Sequence, residues 1–255
     1  MTKMMKALAA GMLAVSMAAC GNGGNADTNT DEKKESQEIL IGISPDYPPY
    51  ESKNTAGDIE GFDVDMTEWI FNWLNENGHN YTYDYVELSF DNIISSLQAG
   101  QIDLGISGFT YDPDREGIFS DSYYDSAQVI VVKNGSDIKS AADLNGKVVG
   151  AQQGATAEKA AGSIEGAEVK AVSDVKVLME TLNSDGIDAV VLDRAVAQNY
   201  AKNGDFAIVG DELMVEENVI YTTEEHKELL DQVNEAIAAF QESDAFDELT
   251  AKWFE

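Results

Sequence analysis

The sequence predicts an α/β protein of two Rossmann-like lobes. Three observations carry that expectation: strand-like and helix-like runs alternate from Glu38 onward, the alternation restarts after Tyr124, and each cycle takes about ninety residues, the size of a small lobe.

Ile39-Leu40-Ile41-Gly42-Ile43 is a short β-branched run suited to a buried strand. From Asp63 to Asn77, Met66, Trp69, Ile70, Trp73 and Leu74 recur at helical spacing, with Gly78 as a stop. Tyr81 to Val86 reads as the next strand, and Ser89 opens a helix carrying Ile93, Ile94 and Leu97 that ends at Gly100. Ile102 to Ile106 closes the first βαβαβ cycle. In the second cycle Val129 to Val132 is a strand, Ser140 to Asp143 a capping box, Lys147 to Ala151 a strand, and a helix begins near Thr156. A helix over Val175–Leu182, a strand over Ile187–Leu192 and a helix from Arg194 follow. Helices from Thr223 to Phe240 and Ser243 to Phe254 finish the chain.

Ahead of this body, Lys3 and Lys6 precede an uncharged apolar run, Ala7 to Ala19, which describes an export signal over residues 1–19. Cys20 is the sole cysteine, so an internal disulfide is impossible, and Met17-Ala18-Ala19-Cys20 resembles a bacterial lipoprotein box with Cys20 as the lipidated residue. Residues 20–37 are rich in Gly, Asn, Thr, Asp, Glu and Lys, bury almost nothing, and read as a flexible tether. The protein is therefore expected outside the cytoplasm, held to the membrane through Cys20. The net charge of −31 excludes nucleic acid as a partner, because phosphate binding needs clustered Lys and Arg. It also favours a soluble monomer.

Only two arginines occur, Arg115 and Arg194. Where charge alone is wanted this chain uses Lys, so an Arg marks a place needing a rigid two-pronged donor. In α/β folds ligands sit beyond the carboxyl ends of strands, which draws attention to the loops after Ile43, Ile106, Ala151 and Leu192. The second loop, Ser107-Gly108-Phe109-Thr110 through Arg115, offers hydroxyls and one guanidinium. Gln153-Gly154-Ala155-Thr156 precedes a helix whose first amides favour an anion. Asp193 supplies a carboxylate. Together they match a zwitterion, with its α-carboxylate on Arg115 and Thr156 and its α-ammonium on Asp193. Two plainer roles compete: Arg115 pairing with Asp112 or Asp114, and Asp193 capping the next helix.

Several segments, in order, carry a wider likeness: Asp46-Tyr47-Pro48-Pro49-Tyr50-Glu51, Gly61-Phe62-Asp63-Val64-Asp65, Gln98-Ala99-Gly100-Gln101-Ile102-Asp103, Phe119-Ser120-Asp121-Ser122-Tyr123-Tyr124, Asp143-Leu144-Asn145-Gly146-Lys147-Val148-Val149-Gly150 and Lys252-Trp253-Phe254. From Glu38 to Glu255 the chain resembles the polar amino-acid family of ABC-transporter substrate-binding proteins. The resemblance implies the periplasmic-binding-protein type II fold: lobe 1 over 38–127 plus 218–255, lobe 2 over 128–217, two hinge strands between them, and closure on the ligand. It implies a free L-amino acid as ligand, an ABC permease and ATPase as partners, and no cofactor. By position, Arg115 and Thr156 match the carboxylate contacts, Asp193 the ammonium contact, and Gly108 and Thr110 residues meeting both poles. Tyr47 and Phe90 match a pair bracketing the ligand side chain, with Ser44 and Phe109 as further selectivity contacts.

Relatives for basic ligands or glutamine carry an acid where this chain has Ser44, which points to a polar or neutral amino acid, although Asp46 lies close by. Thr222-Thr223-Glu224-Glu225 replaces a Lys/Gly-rich turn and predicts an irregular last strand. An enzyme is disfavoured: His79 and His226 are the only histidines, neither lies in a ligand loop, and the one cysteine is in the leader. The alternatives are a surface sensor that presents its ligand to a receptor, or a dehydratase-type enzyme on the same fold.

Overall fold

The structure, a computed structural model, describes residues 36–255, which fall in one compact body. The expected signal, the lipidation site Cys20 and all but the end of the tether lie outside the described residues.

The first half runs β1 (Gln37–Ile43), β2 (Asp46–Tyr47), β3 (Glu51–Lys53), β4 (Ile59–Glu60), α1 (Phe62–Glu76), β5 (Tyr81–Glu87), α2 (Phe90–Gln98), β6 (Leu104–Gly105) and β7 (Ile118–Phe119). The second runs β8 (Tyr124–Lys133), a 3-10 turn over Ala141–Leu144, β9 (Val148–Gln152), α3 (Thr156–Gly162), β10 (Glu168–Val172), α4 (Val175–Asn183), β11 (Ala189–Asp193), α5 (Arg194–Asn203) and β12 (Phe206–Asn218). The chain returns through β13 (Tyr221–Thr222) to α6 (Lys227–Gln241) and α7 (Asp244–Phe254).

Each lobe is a five-stranded sheet with a parallel core and antiparallel strands toward one edge. Their orders are β5-β1-β6-β13-β7 and β10-β9-β11-β8-β12, and β2-β3-β4 form a small third sheet. Ile39 and Ile41 of β1 are buried under Met66, Ile70 and Leu74 of α1. Leu229, Leu230, Val233, Ile237 and Phe240 repeat at helical spacing, so α6 has an apolar stripe, which it lays on that same core. This stripe brings the C-terminal helices back to the first lobe. In the second lobe, Leu178 and Leu182 of α4 cover one sheet face, and Ala157, Ala160 and Ala161 of α3 cover the other.

Two long strands join the lobes. β8 and β12 pair antiparallel from Tyr124↔Asn218 to Lys133↔Phe206, with a register shift between Val209 and Met214. The boundaries read from the sequence, 127/128 and 217/218, fall within this ribbon. The strand expected over Ile102–Ile106 is confined to Leu104–Gly105, and the helix expected from Thr223 begins at Lys227 after a short 3-10 turn. The last strand, β13, is two residues long.

Candidate functional site

The loop after β6 is held by hydrogen bonds at Gly108 and Thr110. Gly108 has φ +54°, a backbone conformation that favours glycine, and a Cβ there would stand 3.0 Å from Cδ1 of Tyr47, a tight contact. Its N–H donates to Oδ2 of Asp63 at 2.8 Å, and its carbonyl accepts from Nδ2 of Asn218 at 3.4 Å. Two residues on, Oγ1 of Thr110 lies 2.8 Å from Oγ1 of Thr156, joining the first lobe to the start of α3.

Arg115 completes this side. Its Nη1 donates to the Thr110 carbonyl at 3.3 Å and its Nη2 to the Gly154 carbonyl across the cleft at 3.0 Å. The guanidinium carbon stands 5.1 Å from the ring centre of Phe109, 5.7 Å from Tyr221 and 5.8 Å from Phe90. Pairing with Asp112 or Asp114 is not its role. Both acids are taken by Lys159 of α3, at 2.6 and 2.9 Å, in an ion pair that bridges the lobes. Among the described residues Arg115 makes no ion pair. Burial lowers its pKa, but a guanidinium stays charged.

In the second lobe, Asp193 ends β11 and caps α5, accepting from the Ala195 amide at 2.9 Å. The capping role considered for it is therefore real. The same carboxylate also accepts a short bond from the Ser126 hydroxyl of β8 and one at 3.3 Å from the Tyr50 hydroxyl of the first lobe. The Asp193 amide donates to the Tyr47 hydroxyl at 3.2 Å. Burial pushes the Asp193 carboxyl up to about 6; its hydrogen bonds oppose the shift, and the Glu216 charge adds to it.

Sequence reasoning missed Tyr50, Ser126, Gln128, Glu216 and Asn218. Glu216 is only 7% exposed; its Oε2 accepts from Nε2 of Gln128 at 2.8 Å.

The remaining candidate residues have the following surroundings. Phe109 is fully buried in a core cluster with Phe90, Ile93 and Tyr221, so it reaches the cleft only by supporting Arg115. Ser107 turns inward to donate to Glu51 at 2.8 Å, and Ser44 donates to Asp46 at 2.7 Å. Asp46 is not free to replace the acid absent at Ser44. Its other oxygen accepts from the Val175 amide at 2.7 Å and from Gln152 at 3.4 Å, both in the second lobe. The helix-start amides are also partly occupied, because the Gly154 N–H donates to Glu158 at 2.9 Å. Phe90 is buried with its ring centre 4.4 Å from that of Phe109, and the Tyr47 ring stacks on Tyr50. The two histidines lie elsewhere: His226 is 3.6 Å from Asp103, and His79 stacks on Tyr81.

Beneath Gly108 lies a second pair of buried acids, Glu51 and Asp63. Burial raises Asp63 to about 6, and burial together with the charge of Asp63 raises Glu51 well above its ordinary value. A carboxyl raised in the folded state binds more protons there than in the unfolded chain. The stability it contributes is complete below the unfolded value of 3.8 and is lost as pH rises through about 6. The melting temperature should therefore be higher near pH 5 than near pH 8, by an amount reflecting roughly 1–3 kcal/mol. Glu51→Gln should flatten that dependence and stabilise the protein at neutral pH. Thermal melts across this range decide the matter, and parallel profiles for the two proteins would refute it.

Comparison with known proteins identifies the family. Residues 39–255 match the bacterial extracellular solute-binding proteins, family 3. The chain is 29% identical to the arginine-binding extracellular protein ArtP of Bacillus subtilis, over 100% of this chain and 98% of that protein. It is 29% identical to the L-cystine-binding protein TcyJ of Escherichia coli, over 87% of this chain and 84% of that one. The crystal structure of the substrate-binding protein of an amino acid ABC transporter superposes with a TM-score of 0.79 at 35% identity, covering 86% of this chain and 99% of that one. With two α/β lobes and residues of both meeting at Thr110, Thr156 and Arg115, the chain belongs to the family-3 extracellular solute-binding proteins and is an amino-acid-binding protein of that family.

Proposed function

We propose that this protein captures a polar or neutral L-α-amino acid between its lobes and delivers it unchanged to an ABC permease and its ATPase, working as a monomer tethered through lipid on Cys20. The observation carrying this reading is Arg115. Its guanidinium is backed by three aromatic rings, bonded to backbone carbonyls of both lobes, and free of any ion pair among the described residues. That is a cation prepared for a carboxylate. Thr110 and Thr156 add hydroxyls beside it, and Asp193 provides the opposite charge for an α-ammonium. Tyr47 and Phe90 are the residues assigned to bracket the ligand side chain.

The side-chain preference rests on Ser44 and Asp46. With serine at the first position and both oxygens of the second engaged, the first loop offers no free acid to a basic side chain. Among the relatives, the cystine binder is the nearer precedent for such a ligand and the arginine binder the further one.

The test is a thermal-shift panel of the standard L-amino acids and L-cystine, with the ligand recovered afterwards by mass spectrometry. At about one hundred times its dissociation constant a ligand adds about 2.7 kcal/mol, a shift of several degrees. One or a few amino acids should stabilise the protein, and their deaminated and decarboxylated analogues should not. A chemically altered ligand would make it an enzyme, and preference for lysine or arginine would overturn the assigned selectivity.

A further inference from the structure

Two tyrosines of one short segment reach across to a single residue of the other lobe. The Tyr47 hydroxyl accepts from the Asp193 amide at 3.2 Å, and the Tyr50 hydroxyl donates to Oδ1 of Asp193 at 3.3 Å. The two rings stack with centres 6.0 Å apart, and the Phe254 ring meets that of Tyr50 edge-on at 5.2 Å. Tyr50 is fully buried, so this packing fixes where its hydroxyl points. Burial and the charge of Asp193 push its pKa well above the ordinary phenol value, so the hydroxyl keeps its proton and donates.

That one proton faces two acceptors. Besides Asp193, Oδ1 of Asn218 lies 3.0 Å away. Asn218 stands at the first-lobe end of β12, where it bridges to Thr110 and its Nδ2 donates to the Gly108 carbonyl. Tyr50 therefore has one partner on its own side, which opening leaves in place, and a second in the opposite lobe, which only closure supplies. A carboxylate draws a shared proton more strongly than an amide carbonyl does. We propose that Tyr50 is a positioning residue for the bound amino acid, its hydroxyl turning from Asn218 to Asp193 as the lobes close and so fixing the carboxylate that meets the ammonium. This rests on reading Asp193 as the ammonium contact.

The test is a double-mutant cycle on the full chain, followed by calorimetry from pH 5 to 8. The ligand is the amino acid, from the standard set with L-cystine, that most stabilises the wild type. The four proteins are wild type, Tyr50→Phe, Asp193→Asn and the double variant. Tyr50→Phe keeps the ring and is expected to weaken binding by about 3–10-fold at pH 8, but by less than about twofold beside Asp193→Asn. Taking a donor from the ionised carboxylate raises the pKa of Asp193, so the loss of affinity on the acid side should begin at a higher pH than in the wild type. Tyr47, Tyr124, Asp63 and Glu216 also act on or feel this carboxylate, and the Asp193→Asn background separates their titration from its own. Asn218→Ala, which serves if Tyr50→Phe does not fold, leaves the proton to Asp193 alone and should move the onset to lower pH. An onset that neither variant moves, or equal losses in both backgrounds, would overturn the proposal while leaving the amino-acid site intact. A folded wild type that none of the set stabilises, or full affinity in Asp193→Asn, would overturn both.

Discussion

Arg115→Lys should weaken amino-acid binding at least tenfold in calorimetry, with little change in melting temperature. A lysine ammonium can reach one carboxylate oxygen, but it lacks the planar fork that engages two, and a tenfold loss corresponds to about 1.4 kcal/mol. The loss should exceed that minimum, because three rings support the flat guanidinium and a point charge stacks less well. Arg115→Ala should abolish measurable binding. Unchanged affinity in the lysine variant would remove Arg115 from the site and with it the reading of the cleft as a zwitterion clamp.

The second large effect belongs to Asp193. Asparagine caps helices about as well as aspartate, so Asp193→Asn should leave α5 intact while removing the charge. Losing a charge-assisted hydrogen bond costs roughly 1.5–3 kcal/mol, or about 10–100-fold in affinity. The wild type should also show a matching pH dependence. Asp193 sits at about 6 and must be ionised to hold an ammonium, so affinity should be level above that pH. Below it, affinity should decline by up to about tenfold per unit, since one proton competes with the ligand. Titrations from pH 5 to 8 would show the decline in the wild type and its absence in the asparagine variant. A wild-type profile flat through pH 5 would mean that Asp193 does not meet the ammonium.

Much of the architecture was legible because burial and periodicity agreed. α1 and α2 carry apolar residues at helical spacing and are buried where that spacing says. Arg115 stood out because the chain otherwise uses lysine, and the structure puts it between the lobes. The hinge strand β12 was not legible, and the reason is physical. In its last residues the usual pattern is inverted: Val215 is 77% exposed while Glu216 and Asn218 are buried. Here an acid, Glu216, turns inward while its neighbour Glu217 faces out, against the usual rule that acids face water. The period-two alternation of Glu216 and Asn218 was the available signal, but it needed a partner strand to give it a direction. Tyr50 and Ser126 escaped for a related reason, because each acts on Asp193 from a distant part of the chain. Ser44 and Ser107 sit in the expected loops but face inward, a choice set by buried acids that composition does not reveal.

The bridge from Lys159 to Asp112 and Asp114 has a kinetic consequence. It spans the mouth of the clamp, with the lysine side chain 46% exposed and Asp114 83% exposed, so dissolved ions reach it readily. A contact that exists only while the jaws meet governs how long a captured molecule dwells more than how fast it enters. Release should therefore quicken with ionic strength, and Lys159→Ala should release quickly at any salt concentration. Stopped-flow traces with equal salt sensitivity in both proteins would contradict this. A molecule facing the external medium would then have its holding time set in part by the saltiness of its surroundings.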